Sequence, residues 1–147
     1  MKVNSQPDYL FAYGTLRKGF GLQMLKNISH NIDYVGSGAI NGALYDIGEY
    51  PAALPTEDKN SKIAGEIYQL KHSRKMFRLL DEYEGYDRKD LQNSEYYRRR
   101  ETLELDNGDK IKVWVYWYNF PVNDKMKIED SDYLNYLKGK EENYAAL

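Results

Sequence analysis

The sequence predicts an α+β fold whose sheet curls toward a barrel. Three observations carry this: strand-like segments outnumber helical ones, the clearest pair of strands reads as an antiparallel hairpin, and no regular βαβ alternation runs along the chain. A length of 147 residues suits one domain, taken as 1–147. With 41% apolar and 14% aromatic residues, the chain can fill a core rather than stay disordered.

Asp8–Ala12 (DYLFA) reads as a short buried first strand, halted by Gly14. Tyr13–Gly21 is a glycine-punctuated loop, with a short helix expected over Leu22–Ile28. Tyr34–Asp46 holds three glycines among Val35, Ile40, Leu44 and Tyr45, the pattern of one bent or bulged strand. Gly48–Pro55 reads as a loop because its two prolines remove backbone donors, and Lys62–Leu70 reads as a strand. Ser73 is the expected N-cap of a helix running to about Glu84, with Gly85 closing it. Glu95–Leu105 and Lys110–Tyr118 form the hairpin. A two-residue Asn-Gly turn would pair Leu103 with Lys112 and mix the faces. A three-residue loop with Gly108 left-handed pairs Leu103 with Ile111 and Glu101 with Val113, so side-chain alternation favours it. Beyond Pro121 the chain is polar, with one more short helix expected from Ser131.

Composition removes several chemistries. Zero cysteines exclude disulfides, thiol nucleophiles and Cys-based metal sites, and they suit a cytoplasmic setting. His30 and His72 are far apart and neither sits in a metal-ligand pair, so no metal is expected. A balance of 21 basic against 23 acidic side chains, net −2, argues against a general nucleic-acid partner. No apolar run approaches the roughly 20 residues of a membrane span, and the polar Met1–Asp8 stretch has no apolar core of a secretory leader.

Weak motifs fall away on inspection. Gly14–Gly19 has phosphate-loop spacing, but Phe20-Gly21 stands where Lys-Ser/Thr is required, and Gly36-Ser37-Gly38 matches neither a dinucleotide loop nor a nucleophile elbow. In Tyr96–Arg100 (YYRRR), Arg98 and Arg100 share one strand face and Arg99 takes the other. Glu95 and Glu101 flank the run and dilute its field, so solvated strand faces are expected. Trp114, Tyr116 and Tyr118 alternate with Val113, Val115 and Trp117, which suits a strand packed on one side that lines a cavity on the other.

The helix carries the most informative residue. With Leu80 at zero and about 100° per residue, Met76, Phe77 and Tyr83 fall within about 60° of it, and so does Glu84 at about +40°. Glu82 points to the opposite side and Asp81 to the edge. A carboxylate in the apolar arc loses hydration, and the negative end of the helix dipole also raises its proton affinity. Such a group is poised for proton transfer near neutral pH. The competing reading is a frayed last turn that lets Glu84 reach water.

Tyr13-Gly14-Thr15-Leu16 (YGTL), the LYDIGEYPA stretch at Leu44–Ala52, GEIY at Gly65–Tyr68 and LDEYEGY at Leu80–Tyr86 together resemble the gamma-glutamylcyclotransferase-like superfamily, its AIG2-like and gamma-glutamylamine cyclotransferase group above all. The resemblance runs in order from about Tyr9 to Tyr118. It implies a small mixed, mostly antiparallel β-barrel with flanking helices. It also implies cofactor-free cyclotransfer: the α-amine of a γ-glutamyl unit attacks its own γ-carbonyl, closing 5-oxoproline and expelling an amine. Glu84 matches the family's proton-moving glutamate, and Tyr13, Gly14, Thr15 and Leu16 match the loop whose backbone contacts the glutamyl unit. Tyr116 and Tyr118 are added as candidate substrate-binding side chains from the aromatic strand face. The partner expected is a small γ-glutamyl compound. The alternatives are a non-catalytic sensor using the same cavity, motivated by the tyrosines and the lack of a second catalytic carboxylate, and a nucleic-acid-binding barrel using Arg98–Arg100.

Overall fold

The structure is a computed structural model that describes residues 7–14, 29–48 and 50–145. Its strands are β1 (Asp8–Ala12), β2 (Ile32–Asn41), β3 (Ala43–Asp46), β4 (Pro51–Leu54), β5 (Lys62–Leu70), β6 (Tyr96–Glu104), β7 (Lys110–Tyr118) and β8 (Lys127–Ile128). Helix α1 covers Ser73–Glu84 and α2 covers Tyr133–Ala145. Five strands close a barrel in the order β1-β5-β2-β6-β7, and β4-β3-β8 form a separate three-stranded sheet. Neighbours in the barrel are antiparallel except β1 and β7, which meet in parallel at Leu10 and Trp114 and seal it.

Several elements fall where local chemistry puts them. The β6–β7 register pairs Leu103 with Ile111 and Glu101 with Val113. Its turn closes through Leu105 N donating to Asp109 O at 2.7 Å, with Gly108 at φ 90°. Within the stretch expected to be bent or bulged, the register against β5 shifts between Tyr34 and Gly36.

Three expectations need correction. Tyr34–Asp46 is not one strand: the chain leaves the barrel at Gly42, and β3 joins the second sheet. Gly48–Pro55 is not all loop, because Pro51–Leu54 pairs with β3. Pro51 is tolerated there as the first residue of an outer strand, where no ladder donor is needed, and Ala52 and Ala53 are wholly buried behind it. Ser73 is the first helical residue rather than the cap. His72, at φ 53°, holds the cap position without a side-chain bond, while the Ser73 hydroxyl bonds Asp8. The helix expected over Leu22–Ile28 lies outside the described residues.

Side-chain alternation divides the apolar residues into two clusters. Phe11, Ile63, Ile67, Leu103, Val113, Val115 and Trp117 pack together inside the barrel. Leu10, Leu70 and Tyr116 point the opposite way and meet Met76, Phe77 and Leu80 of α1. Burial of those three helical side chains contributes about 1.5–3 kcal/mol each and fixes α1 along the barrel wall. The last turn of α1 is thereby held beside the end of β1.

Candidate active site

Helix α1 ends on Gly85, whose left-handed backbone (φ 68°, ψ 38°) directs its N–H to the carbonyls of Asp81 and Glu82. Glycine adopts this conformation without the Cβ clash that disfavours it for other residues. The chain then loops out and returns. Buried Ser94 accepts from Asp87 N at 2.9 Å and lies within donor range of the Asp87 and Asp90 carbonyls. Glu95 N donates to Gly85 O at 3.0 Å, bringing residue 95 back beside the helix end.

A cavity of about 130 Å³ opens at this junction. Its walls are Phe11–Gly14 running off β1, Tyr50 and Pro51 leading into β4, Tyr83 and Glu84 from the last turn of α1, Glu95 and Tyr96 entering β6, and Tyr116 of β7. Gly14 lies so close to Pro51 that a Cβ there would come within 2.7 Å of the proline Cγ. A side chain at position 14 would therefore push into the opposite wall.

The cavity's phenols are held by internal acceptors. Tyr13 donates its hydroxyl to the Tyr116 carbonyl, Tyr96 to the Pro51 carbonyl at 2.8 Å, and Tyr116 to Asp81 Oδ1 at 2.6 Å. Burial, with the nearby Glu84 carboxyl adding to it, pushes the proton affinity of all three upward, so they stay neutral. Asp81 is further clamped by Arg98, with Nε to Oδ1 at 2.7 Å and the second nitrogen to Oδ2 at 3.0 Å. The Arg98 guanidinium lies 4.1 Å from the Phe77 ring centre and 4.9 Å from that of Trp114.

Glu84 is the exception. It is half-buried, and among the described residues no cation or hydrogen-bond donor is paired with its carboxyl. Protein atoms crowd the group although a path to solvent remains. Burial first, and the Glu95 carboxylate second, raise its pKa from 4.5 to about 8.

The structure thus brings Glu84, Tyr13, Gly14 and Tyr116 to one cavity. Thr15 and Leu16 lie outside the described residues. Tyr118 is not among the lining side chains; its ring sits edge-on to Tyr96, 5.3 Å away. Tyr83, expected in the buried arc, is 40% exposed at the cavity's mouth. Glu95, read from the sequence as diluting a basic run, instead lines the cavity. The arginines of that run are not merely solvated: Arg98 holds Asp81, Arg99 holds Glu101 and Arg100 reaches Asp8. Among the described residues no three His, Asp or Glu side chains gather as a metal-binding group. No helix among them is long and apolar enough to cross a membrane.

A family profile described as gamma-glutamyl cyclotransferase, AIG2-like, matches residues 10–135. The chain belongs to this family. Its relatives include the MJ1514 protein of Methanocaldococcus jannaschii, provisionally named a gamma-glutamylcyclotransferase, which is 32% identical over 88% of this chain and 98% of its own length. The gamma-glutamylcyclotransferase family protein YtfP of Escherichia coli is 29% identical over 86% of this chain and 96% of its own. The crystal structure of an AIG2-like protein from mouse shares the fold, with a TM-score of 0.68, 24% identity, and coverage of 88% of this chain and 89% of that one. At the family level the chemistry is gamma-glutamyl cyclotransfer on small γ-glutamyl compounds.

Proposed function

We propose that this protein is a cofactor-free gamma-glutamyl cyclotransferase that releases 5-oxoproline and a free amine, with Glu84 as the proton shuttle and the loop from Tyr13 to Leu16 holding the glutamyl unit. The observation that carries the reading is a crowded carboxyl, unpaired among the described residues and with a pKa of about 8, set in a small cavity opposite the Tyr13-Gly14 backbone.

The nucleophile and the electrophile belong to one substrate molecule, so holding it folded supplies much of the barrier reduction. The α-nitrogen must lose a proton before it can attack the γ-carbonyl carbon. A carboxyl whose pKa is raised to about 8 lies much nearer to an amine than an ordinary carboxylate does, so the proton passes between them at smaller cost in either direction. The new N–C bond closes the five-membered ring. Collapse of the tetrahedral intermediate breaks the bond to the departing nitrogen, and Glu84 returns a proton to it. The α-nitrogen gives up two protons overall and the departing amine gains two, so no water is consumed. Neutral phenols around the carboxyl keep the pocket from titrating elsewhere. The sensor alternative, motivated by the tyrosines and by the lack of a second catalytic carboxylate, uses the same cavity and differs in leaving its ligand chemically intact. The absence of cysteine supports a cytoplasmic setting.

The test is to incubate the protein with a panel of γ-glutamyl amines and peptides and to measure 5-oxoproline. Wild type forms it, and Glu84→Gln binds the same compounds without turnover. No product across the panel, or full activity in the variant, overturns the reading.

A further inference from the structure

The cyclotransferase reading places the glutamyl unit inside and leaves open what departs; the mouth of the cavity bears on that question. At about 130 Å³ the cavity is far below the roughly 300 Å³ where drug-sized pockets begin, so little beyond the glutamyl unit fits within. Its γ-carbonyl must lie within reach of Glu84, and the departing amine therefore projects through the mouth. There it meets Glu95, which is exposed, and Tyr50 and Tyr83, which are 47% and 40% exposed. The deeper phenols of Tyr13, Tyr96 and Tyr116 already donate to internal acceptors, so they offer a guest only lone pairs. Among the described lining residues there is no Lys, Arg or His.

Carboxylate, aromatic rings and donor-depleted phenols make a surface suited to a cation. We propose that Glu95 selects γ-glutamyl amides whose departing amine carries a second positive charge, such as an alkyldiamine, and disfavours those whose departing amine carries a carboxylate. The geometry ties this to a single residue: Glu95 is held at the mouth by its N–H bond to Gly85 O and by Asn119 N donating to its own carbonyl at 2.9 Å. Its position is therefore fixed by backbone bonds that survive substitution of the side chain.

Three substrates of matched length test this: the γ-glutamyl amides of diaminobutane, pentylamine and aminobutanoate, which end in an ammonium, a methyl and a carboxylate. Wild type favours the cationic over the neutral compound by about threefold to tenfold in kcat/KM. The preference lies mainly in KM, because the contact is made alike in the ground and transition states. Glu95→Gln brings the cationic and neutral compounds within about twofold of each other, and Glu95→Lys makes the carboxylate compound the best of the three. An unchanged ranking in Glu95→Gln, or equal turnover of all three by wild type, overturns the proposal while leaving the cyclotransferase reading intact. Titration calorimetry of the same compounds with Glu84→Gln separates the two ideas. A Glu95-dependent order of binding with no 5-oxoproline from wild type supports the selectivity and sinks the cyclotransferase.

Discussion

Along β7, Val113, Val115 and Trp117 point into the barrel and are fully buried, whereas Trp114 and Tyr116 point outward to α1 and meet Phe77, Asp81 and the cavity. The inner face is filled almost wholly by hydrocarbon and rings. The outer face mixes rings with carboxylates, and there the details of pairing decide what each group can do. Asp81 and Glu84 lie three residues apart on one helix, yet Asp81 holds a bidentate arginine and a phenol while Glu84, among the described residues, holds neither. A saturated carboxylate is a structural anchor. An unpaired one in a crowded site keeps a proton near neutral pH and can exchange it.

Removing Glu84 tests that contrast most severely. Glu84→Gln should lower the rate of 5-oxoproline formation by about 10²–10⁴-fold, the range for loss of a general acid–base group. Stability should move the other way. Below pH 4.5 the carboxyl is protonated both folded and unfolded, and wild type and variant differ little. Between 4.5 and about 8 the unfolded chain ionises this group and the folded one does not, so wild type loses stability as pH rises. The variant escapes this loss and should be more stable at pH 8 by about 2–4 kcal/mol. Denaturant titrations at pH 4.5 and pH 8 check it; a constant difference at both would mean that Glu84 is not held in its neutral form.

Gly14→Ala acts on the opposite wall. Its Cβ at 2.7 Å from Pro51 Cγ must displace Tyr50-Pro51 or the end of β1. A displacement of that order misplaces a bound substrate, and activity should fall between about tenfold and a hundredfold. Steady-state assay decides it, and unchanged kinetics would show that this wall does not contact substrate. Arg98→Ala breaks the saturated side of the comparison. It leaves half-buried Asp81 with only the Tyr116 hydroxyl and removes the guanidinium from the Phe77 and Trp114 rings. The expected loss is about 2–3 kcal/mol of stability, read as a lower thermal midpoint. Lysine should not restore it, because it cannot make the two parallel bonds.

Legibility in the sequence followed the range of the forces involved. Strands β1 and β5, the span of α1 and the β6–β7 register were readable because alternation, helical period and the Gly108 turn are local. The angle of Glu84 on the helix follows from spacing, but the same spacing allowed a frayed last turn, and the resemblance to the family rather than geometry singled the residue out. The split at Gly42, strand β4 and the parallel closure of β1 on β7 were not, because each depends on partners distant in sequence. Glu95 was missed most instructively. Where the chain between Gly85 and β6 aims residue 95 is set by Glu95 N meeting Gly85 O and by Asn119 N meeting Glu95 O. The one available signal was a glycine-terminated helix followed ten residues later by a second glutamate at the start of a strand.

Tyr118 marks where strand alternation stops predicting the site. It shares the outer face with Trp114 and Tyr116, so alternation alone assigns it the same role. In the structure it stands one ring further out, edge-on to Tyr96 and to Phe120 at 5.8 Å. Burial, and then Glu95, raise its proton affinity, so it too stays neutral. Tyr118→Phe keeps the ring and both edge contacts and deletes only the hydroxyl. If that hydroxyl has no part in binding, kcat/KM should stay within about twofold of wild type, the scale of one weak exposed contact. A loss of tenfold or more would bring the phenol to the substrate and extend the acceptor-lined mouth from Glu95 toward the end of β7.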